Sequence, residues 1–213
     1  MYRSVWLAAL AMLVGAPLAG QDEELSFPDG WQVRFDREGS SMEDLRFVTM
    51  PPGMHVTTGP AMIAYHPDST ASGSYPLESE VFLFDPENRR EGFGFFVGGT
   101  DLDGANQSYT YFLLRQGGEF LVKVREGAET RVVHDWTAND AIHSWTDGEG
   151  ATAQNLLTLR VGDDGIAFMV NDAVVWEGLP GSVATSGVFG LRINHGLNLH
   201  VTSITAGASE TDG

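Results

Sequence analysis

Apolar residues in this chain come in short runs, several alternating with polar neighbours and closed off by Gly, Asp, Asn or Pro. A period of two belongs to the half-buried strand, because successive side chains point to opposite faces of the pleat. The runs predict strands at Trp31–Asp36, Met54–Thr57, Ala61–Tyr65, Ser79–Asp85, Gly92–Gly98, Tyr109–Gln116, Phe120–Glu126 and Thr130–Trp136. Further strands are predicted at Asn155–Val161, Gly165–Val170, Ala173–Glu177, Val188–Asn194 and Leu199–Ala206. No run holds a helical period for long; Asn139–Ile142 reads at most as one helical turn. Turn residues fall where hairpins need them, as in Gln116-Gly117-Gly118 and Gly162-Asp163-Asp164-Gly165. The pair Asn171-Asp172, set between Phe168-Met169-Val170 and Ala173-Val174-Val175, fits a two-residue type I′ loop. About a dozen antiparallel strands at this spacing would not pack as one open sheet and predict two packed ones, an all-β sandwich.

At 213 residues the chain suits one domain. No linker divides it, so residues 30–206 are read as that domain, after a polar lead-in at 21–29 and before a flexible tail at 207–213. The first 20 residues carry Arg3, an uncharged apolar run from Val5 to Val14, and the small residues Gly15, Ala16, Ala19 and Gly20. That is the pattern of a secretory signal peptide cut near residue 20, and the run is short of the roughly 20 residues a membrane span needs. The expected location is therefore secreted or periplasmic.

Charge narrows the partners. The 29 acids against 12 bases give a formal charge of −17, which becomes −18 once Arg3 is removed. Such a field repels phosphate backbones and anionic membranes, so nucleic acid is disfavoured. Neutral carbohydrates, cations and proteins remain. With no cysteine there is no disulfide, thiolate metal site or thiol nucleophile. The six histidines form no His-x-x-x-His or His-Glu-x-x-His pair, and no Gly-x-Ser-x-Gly occurs.

Four stretches carry a resemblance: EGFGFFVGG (Glu91–Gly99), YTYFLLRQGGEFLVKVREG (Tyr109–Gly127), NLLTLRVGDDGIAFMVNDAVVW (Asn155–Trp176) and GVFGLRINHGLNLHVTSITA (Gly187–Ala206). In that order they resemble the concanavalin A-like lectin/glucanase superfamily, in particular the 3-keto-disaccharide hydrolase domain, and are similar to laminin-G-type modules. The resemblance implies a concanavalin A-like jelly roll over residues 30–206. It leaves open whether such a domain binds a glycan, cleaves a glycoside or serves as a cell-envelope module with a protein partner.

Three groups of residues could carry chemistry. Glu78 and Glu80 alternate onto one strand face about 7 Å apart, with Phe82 and Phe84 following. Two carboxylates at that spacing could act as an acid/base pair on a glycoside, although the Glu-x-Asp-x-x-Glu or Glu-x-Asp-x-Glu strand of the superfamily's laminarinase-like branch lacks its middle Asp here, leaving only two acids. For cleavage of a 3-keto sugar, Glu80 is the candidate base and Arg115 or Arg192 its electrophilic partner.

The second group shares strand parities. It comprises Tyr109, Tyr111 and Arg115, then Lys123 and Arg125, then Arg192 and Asn194 with His195 beyond. Trp136 and Trp145 are candidate platforms for a sugar ring. On one concave sheet face these would suit a neutral glycan. In the third group, Asp101, Asp103 and Asn106 offer hard oxygens to calcium, but the same loop reads as a plain Asx turn; no other cofactor is implied.

Overall fold

The computed structural model describes residues 25–207 apart from Glu149. Residues 1–20, the expected signal peptide, and most of the 207–213 tail lie outside the described residues. No helix among the described residues is long and apolar enough to cross a membrane.

The described residues fold into fourteen strands in two antiparallel sheets of seven. Sheet one contains, in spatial order, β1 (Gln32–Phe35), β4 (Met62–Ala71), β13 (Gly187–Ile193), β6 (Gly92–Thr100), β7 (Ser108–Arg115), β8 (Glu119–Glu126) and β9 (Glu129–Ala138). Sheet two runs β12 (Ala173–Gly178), β11 (Gly165–Val170), β10 (Ala153–Gly162), β5 (Tyr75–Leu83), β14 (Asn198–Ala206), β3 (Met54–Thr58) and β2 (Leu45–Thr49). This is the expected two-sheet jelly roll.

The inner faces meet in one apolar core. Phe95 and Phe112 of sheet one pack on Phe168 of sheet two, with ring centroids 5.8 and 5.1 Å from it. Each such ring, fully withdrawn from water, contributes about 1.5–3 kcal/mol.

Sheet one has a second apolar layer on its outer face. Along β6, Phe93, Phe95 and Val97 turn inward, whereas Phe96 turns outward beneath Tyr65 and Tyr109. This is why eight consecutive residues of β6 are buried. Ile63, Leu113 and Leu121 complete the layer, which forms the floor of the site described below.

Three departures from the sequence reading have simple causes. β2 was not predicted, because LRFVT buries only Phe47 and presents no run. β4 extends through the polar stretch His66–Ala71, held by pairing with Gly187 and Val188 rather than by its own pattern. The lead-in is less polar than expected. Phe27 meets Phe47 edge to face at 5.3 Å, and the Ser26 carbonyl accepts from the Thr49 amide. Asn139–Ile142 closes a turn, and a short 3-10 helix lies at Met42–Asp44.

The Asn171-Asp172 loop takes positive φ at both residues (49° and 67°), as a type I′ hairpin demands. The Asn171 side chain does more than turn the chain. Its Oδ1 accepts from the Leu156 amide at 2.9 Å, and its Nδ2 donates to the Ala141 carbonyl and to Asn155 Oδ1. Asn155, fully buried, in turn exchanges two hydrogen bonds with the His143 backbone.

Candidate functional site

The outer face of sheet one carries a groove of about 480 Å³. Its geometry follows from the register. One row across the sheet reads Tyr65, Gly190, Phe96, Tyr111, Lys123, Val132; the next reads Arg34, Ile63, Arg192, Gly94, Leu113, Leu121. Gly94 presents no side chain beside Arg192, so the guanidinium can lean toward the Tyr111 ring, 5.5 Å from its centroid.

The far wall is β9, whose pairing with β8 is broken by two register shifts. Between the pairs Phe120–Thr137 and Val122–His134, Asp135 and Trp136 together oppose Leu121 alone. A bulge of this kind re-aims side chains, and here both Asp135 and Trp136 line the groove. Arg115 lies over the Trp136 ring at 4.1 Å while its Nε donates to Glu119 at 2.7 Å. That hydrogen bond, with the charges of Arg115 and Arg90, holds the Glu119 carboxyl below its ordinary range against a smaller effect of burial.

At the near end Arg192, 6% exposed, is clasped by both oxygens of Asp36 at 2.6 and 2.7 Å. Burial alone would raise the Asp36 carboxyl. The Arg192 hydrogen bond, with the charges of Arg192, Arg125 and His195, outweighs it and leaves Asp36 below its ordinary value. Burial pushes the Tyr111 phenol up to about 12, and Tyr109 upward as well, so both are neutral hydrogen-bonding groups at any physiological pH. Two atoms at this end, Arg192 Nε and Asn194 Oδ1, are buried without a hydrogen-bond partner.

No protein-family model and no curated protein matches the sequence. Solved structures do match it. A carbohydrate-binding module, CBM66 from Bacillus subtilis, superposes with a TM-score of 0.60 at 13% identity, covering 84% of this chain and 96% of its own. A β-glucanase from Bacillus licheniformis gives 0.59 at 11%, covering 86% and 95%. The exoplasmic/lumenal domain of VIP36 gives 0.57 at 9%, covering 86% of each chain. The chain has the concanavalin A-like fold. At these identities the likeness carries the architecture alone.

On this concanavalin A-like frame the sequence-predicted residues divide. Tyr111, Lys123, Arg125, Trp136, Arg192 and Asn194 all line the groove. Arg115 joins it through Trp136, and Tyr109 lies beneath, its ring tilted against those of Phe96 and Tyr111. His195 sits half-buried just past β13, with Nδ1 3.7 Å from a Glu91 carboxylate oxygen.

The two glutamates are elsewhere. Glu78 and Glu80 share a face as expected, but it is the outer face of sheet two, on the opposite side of the core. Glu80 there accepts from Gln154 Nε2 at 2.6 Å. It therefore cannot serve as a base with Arg115 or Arg192 as its partner. Trp145 is also outside the groove, packed on the main core with its indole N–H donated to the Ala151 carbonyl.

In the Asp101–Asn106 loop, the expected calcium site, both carboxylates have partners within the protein. Asp101 Oδ2 accepts from the Asn106 amide at 3.0 Å, and Asp103 Oδ1 accepts from the Tyr65 hydroxyl at 2.6 Å. Arg34 occupies the carbonyls of Leu102 and Gly104. Among the described residues no three His, Cys, Asp or Glu side chains converge as metal ligands.

Sequence reasoning missed Asp36 and Asp135. The first stands at the end of a predicted strand, where it reads as punctuation. The second enters the groove only through a bulge, which breaks the parity on which the reading relied.

Proposed function

We propose that this protein binds a short carbohydrate in the groove on the outer face of sheet one. What carries the reading is the set of groups converging there: the Tyr111 and Trp136 rings beside the donors of Lys123, Arg125, Arg192 and the amide of Asn194. Aromatic rings accept the C–H faces of pyranoses, and fixed donors and acceptors discriminate their hydroxyls. The names of two solved structures with this fold, a carbohydrate-binding module and a β-glucanase, agree with a glycan ligand. A surface charge of −17 opposes long polyanions and favours sugar units that are mainly neutral. Export belongs to the same reading, supported by the apolar run and small residues of the first 20 positions.

Binding rather than cleavage is favoured by the commitments of the acids. Asp36 is held by Arg192, and Asp135 Oδ1 accepts from the Trp136 amide. Saturation-transfer NMR with a panel of neutral oligosaccharides tests the reading. Sugar protons are expected to saturate in the intact protein, with the effect reduced at least tenfold in Trp136→Ala. Saturation that persists undiminished in that variant would move the site off this groove.

A further inference from the structure

The bases of this acidic chain are unevenly spread. Of its 12 lysines and arginines, Arg34, Arg115, Lys123, Arg125 and Arg192 all stand on the outer face of sheet one. Three have carboxylate or carbonyl oxygens within hydrogen-bond distance: Arg34 on loop carbonyls, Arg115 on Glu119, and Arg192 on both oxygens of Asp36. The other two do not. Arg125 approaches a carboxylate only at 3.9 Å, and that oxygen, Asp36 Oδ1, is already held by Arg192 at 2.6 Å. Lys123 has no carboxylate within 4.0 Å among the described residues.

Lys123 and Arg125 are two residues apart on β8 and face the same way, about 7 Å from each other along the strand. Both line the groove, and so does Asp135 from the neighbouring strand β9, its Oδ1 engaged by a backbone amide. Asp36 neutralises one cation, so two positive charges remain against the single charge of Asp135. In a molecule carrying −17 overall, this groove is a local reversal of sign.

We propose that the saccharide held here bears a carboxylate, as a uronate unit does, and that this carboxylate sits on Lys123 and Arg125. The inference rests on the carbohydrate reading above and adds the chemistry of one subsite. A single acidic unit is compatible with the overall field, because ionic interactions are screened beyond about 10 Å at ordinary salt, whereas contacts inside the groove are not.

The test is calorimetric titration of the purified protein with disaccharides containing one glucuronate or galacturonate unit. Each is paired with its carboxyl-reduced neutral form, and a sulfate-ester disaccharide is added as a third arm. Charge-assisted contacts of this kind predict that the uronate binds about 10- to 100-fold tighter than its reduced form. In Lys123→Gln that ratio falls toward one, and in Lys123→Arg it is largely retained, which separates charge from packing. Arg160→Gln, on the other sheet, leaves the ratio unchanged.

If the reduced forms bind as well as the uronates, the carboxylate subsite is wrong and the carbohydrate reading stands. A preference for the sulfate ester over the uronate also overturns the carboxylate assignment. Failure of every arm, together with silence in the neutral panel, overturns both.

Discussion

Asp36 and Arg192 show what a residue-level pairing can demand of a fold. The two are 156 positions apart in sequence, and Arg192 is buried with Asp36 as its counter-ion. Removing one partner of such a pair leaves an uncompensated buried charge. Asp36→Asn is therefore expected to destabilise the protein by about 3–5 kcal/mol, read from the midpoint shift in urea denaturation. The pH dependence has a definite sign. Because the folded-state value of Asp36 lies below its unfolded value of 3.8, its contribution is present above that pH. It is lost as pH falls through the folded value. Stability measured down that acid limb should fall less steeply in Asp36→Asn than in the parent. Parity along Val188–Asn194 made the orientation of Arg192 legible in advance. Its partner was not, because nothing local distinguishes an aspartate that ends a strand from one that reaches across to another.

Among the elements, the β11–β12 hairpin was read almost completely, since Asn-Asp between two apolar runs specifies a type I′ turn through backbone sterics alone. What escaped the reading was the second use of Asn171, as the anchor of the loop carrying Ala141 and of Asn155 on β10. The two uses can be separated. Asn171→Gly keeps the left-handed backbone and removes only the side-chain bonds, with an expected cost of about 1–3 kcal/mol. Asn171→Ala adds the penalty of a left-handed conformation, about 1–2 kcal/mol more. Thermal melts of the two variants should rank in that order; equal midpoints would mean that the turn carries no strain. β9 teaches the converse lesson. Its bulges shift the parity partway along the strand, so alternation read from one end mispoints Asp135.

At the scale of the whole molecule, strand spacing was enough to foresee two sheets, and face parity held for Glu78 and Glu80 on β5, Tyr109 and Tyr111 on β7, and Lys123 and Arg125 on β8. Sheet membership was not legible. Glu80 has the parity expected of it, but β5 belongs to sheet two, so its outward face is the far surface of the sandwich. Alternation tells which residues of one strand travel together; only long-range pairing decides which strands they travel with. Net charge is a global property of the same kind. At −17 the folded molecule repels itself, and the Debye length shortens from about 30 Å at 0.01 M salt to about 10 Å at 0.1 M. The melting temperature is expected to rise over that interval, measured by calorimetry. A fall would mean that favourable ion pairs outweigh the self-repulsion.

The guanidinium of Arg115 resting on Trp136 gives the molecule an optical property of its own. Among the described residues the other indoles, Trp31, Trp145 and Trp176, pack against the main core, whereas Trp136 belongs to the groove layer. A ligand that enters the groove alters the polarity and the cationic neighbour of one fluorophore and leaves the remaining three in their settings. Occupancy of the groove is thus written into the protein's own emission, with Trp136→Phe as its blank.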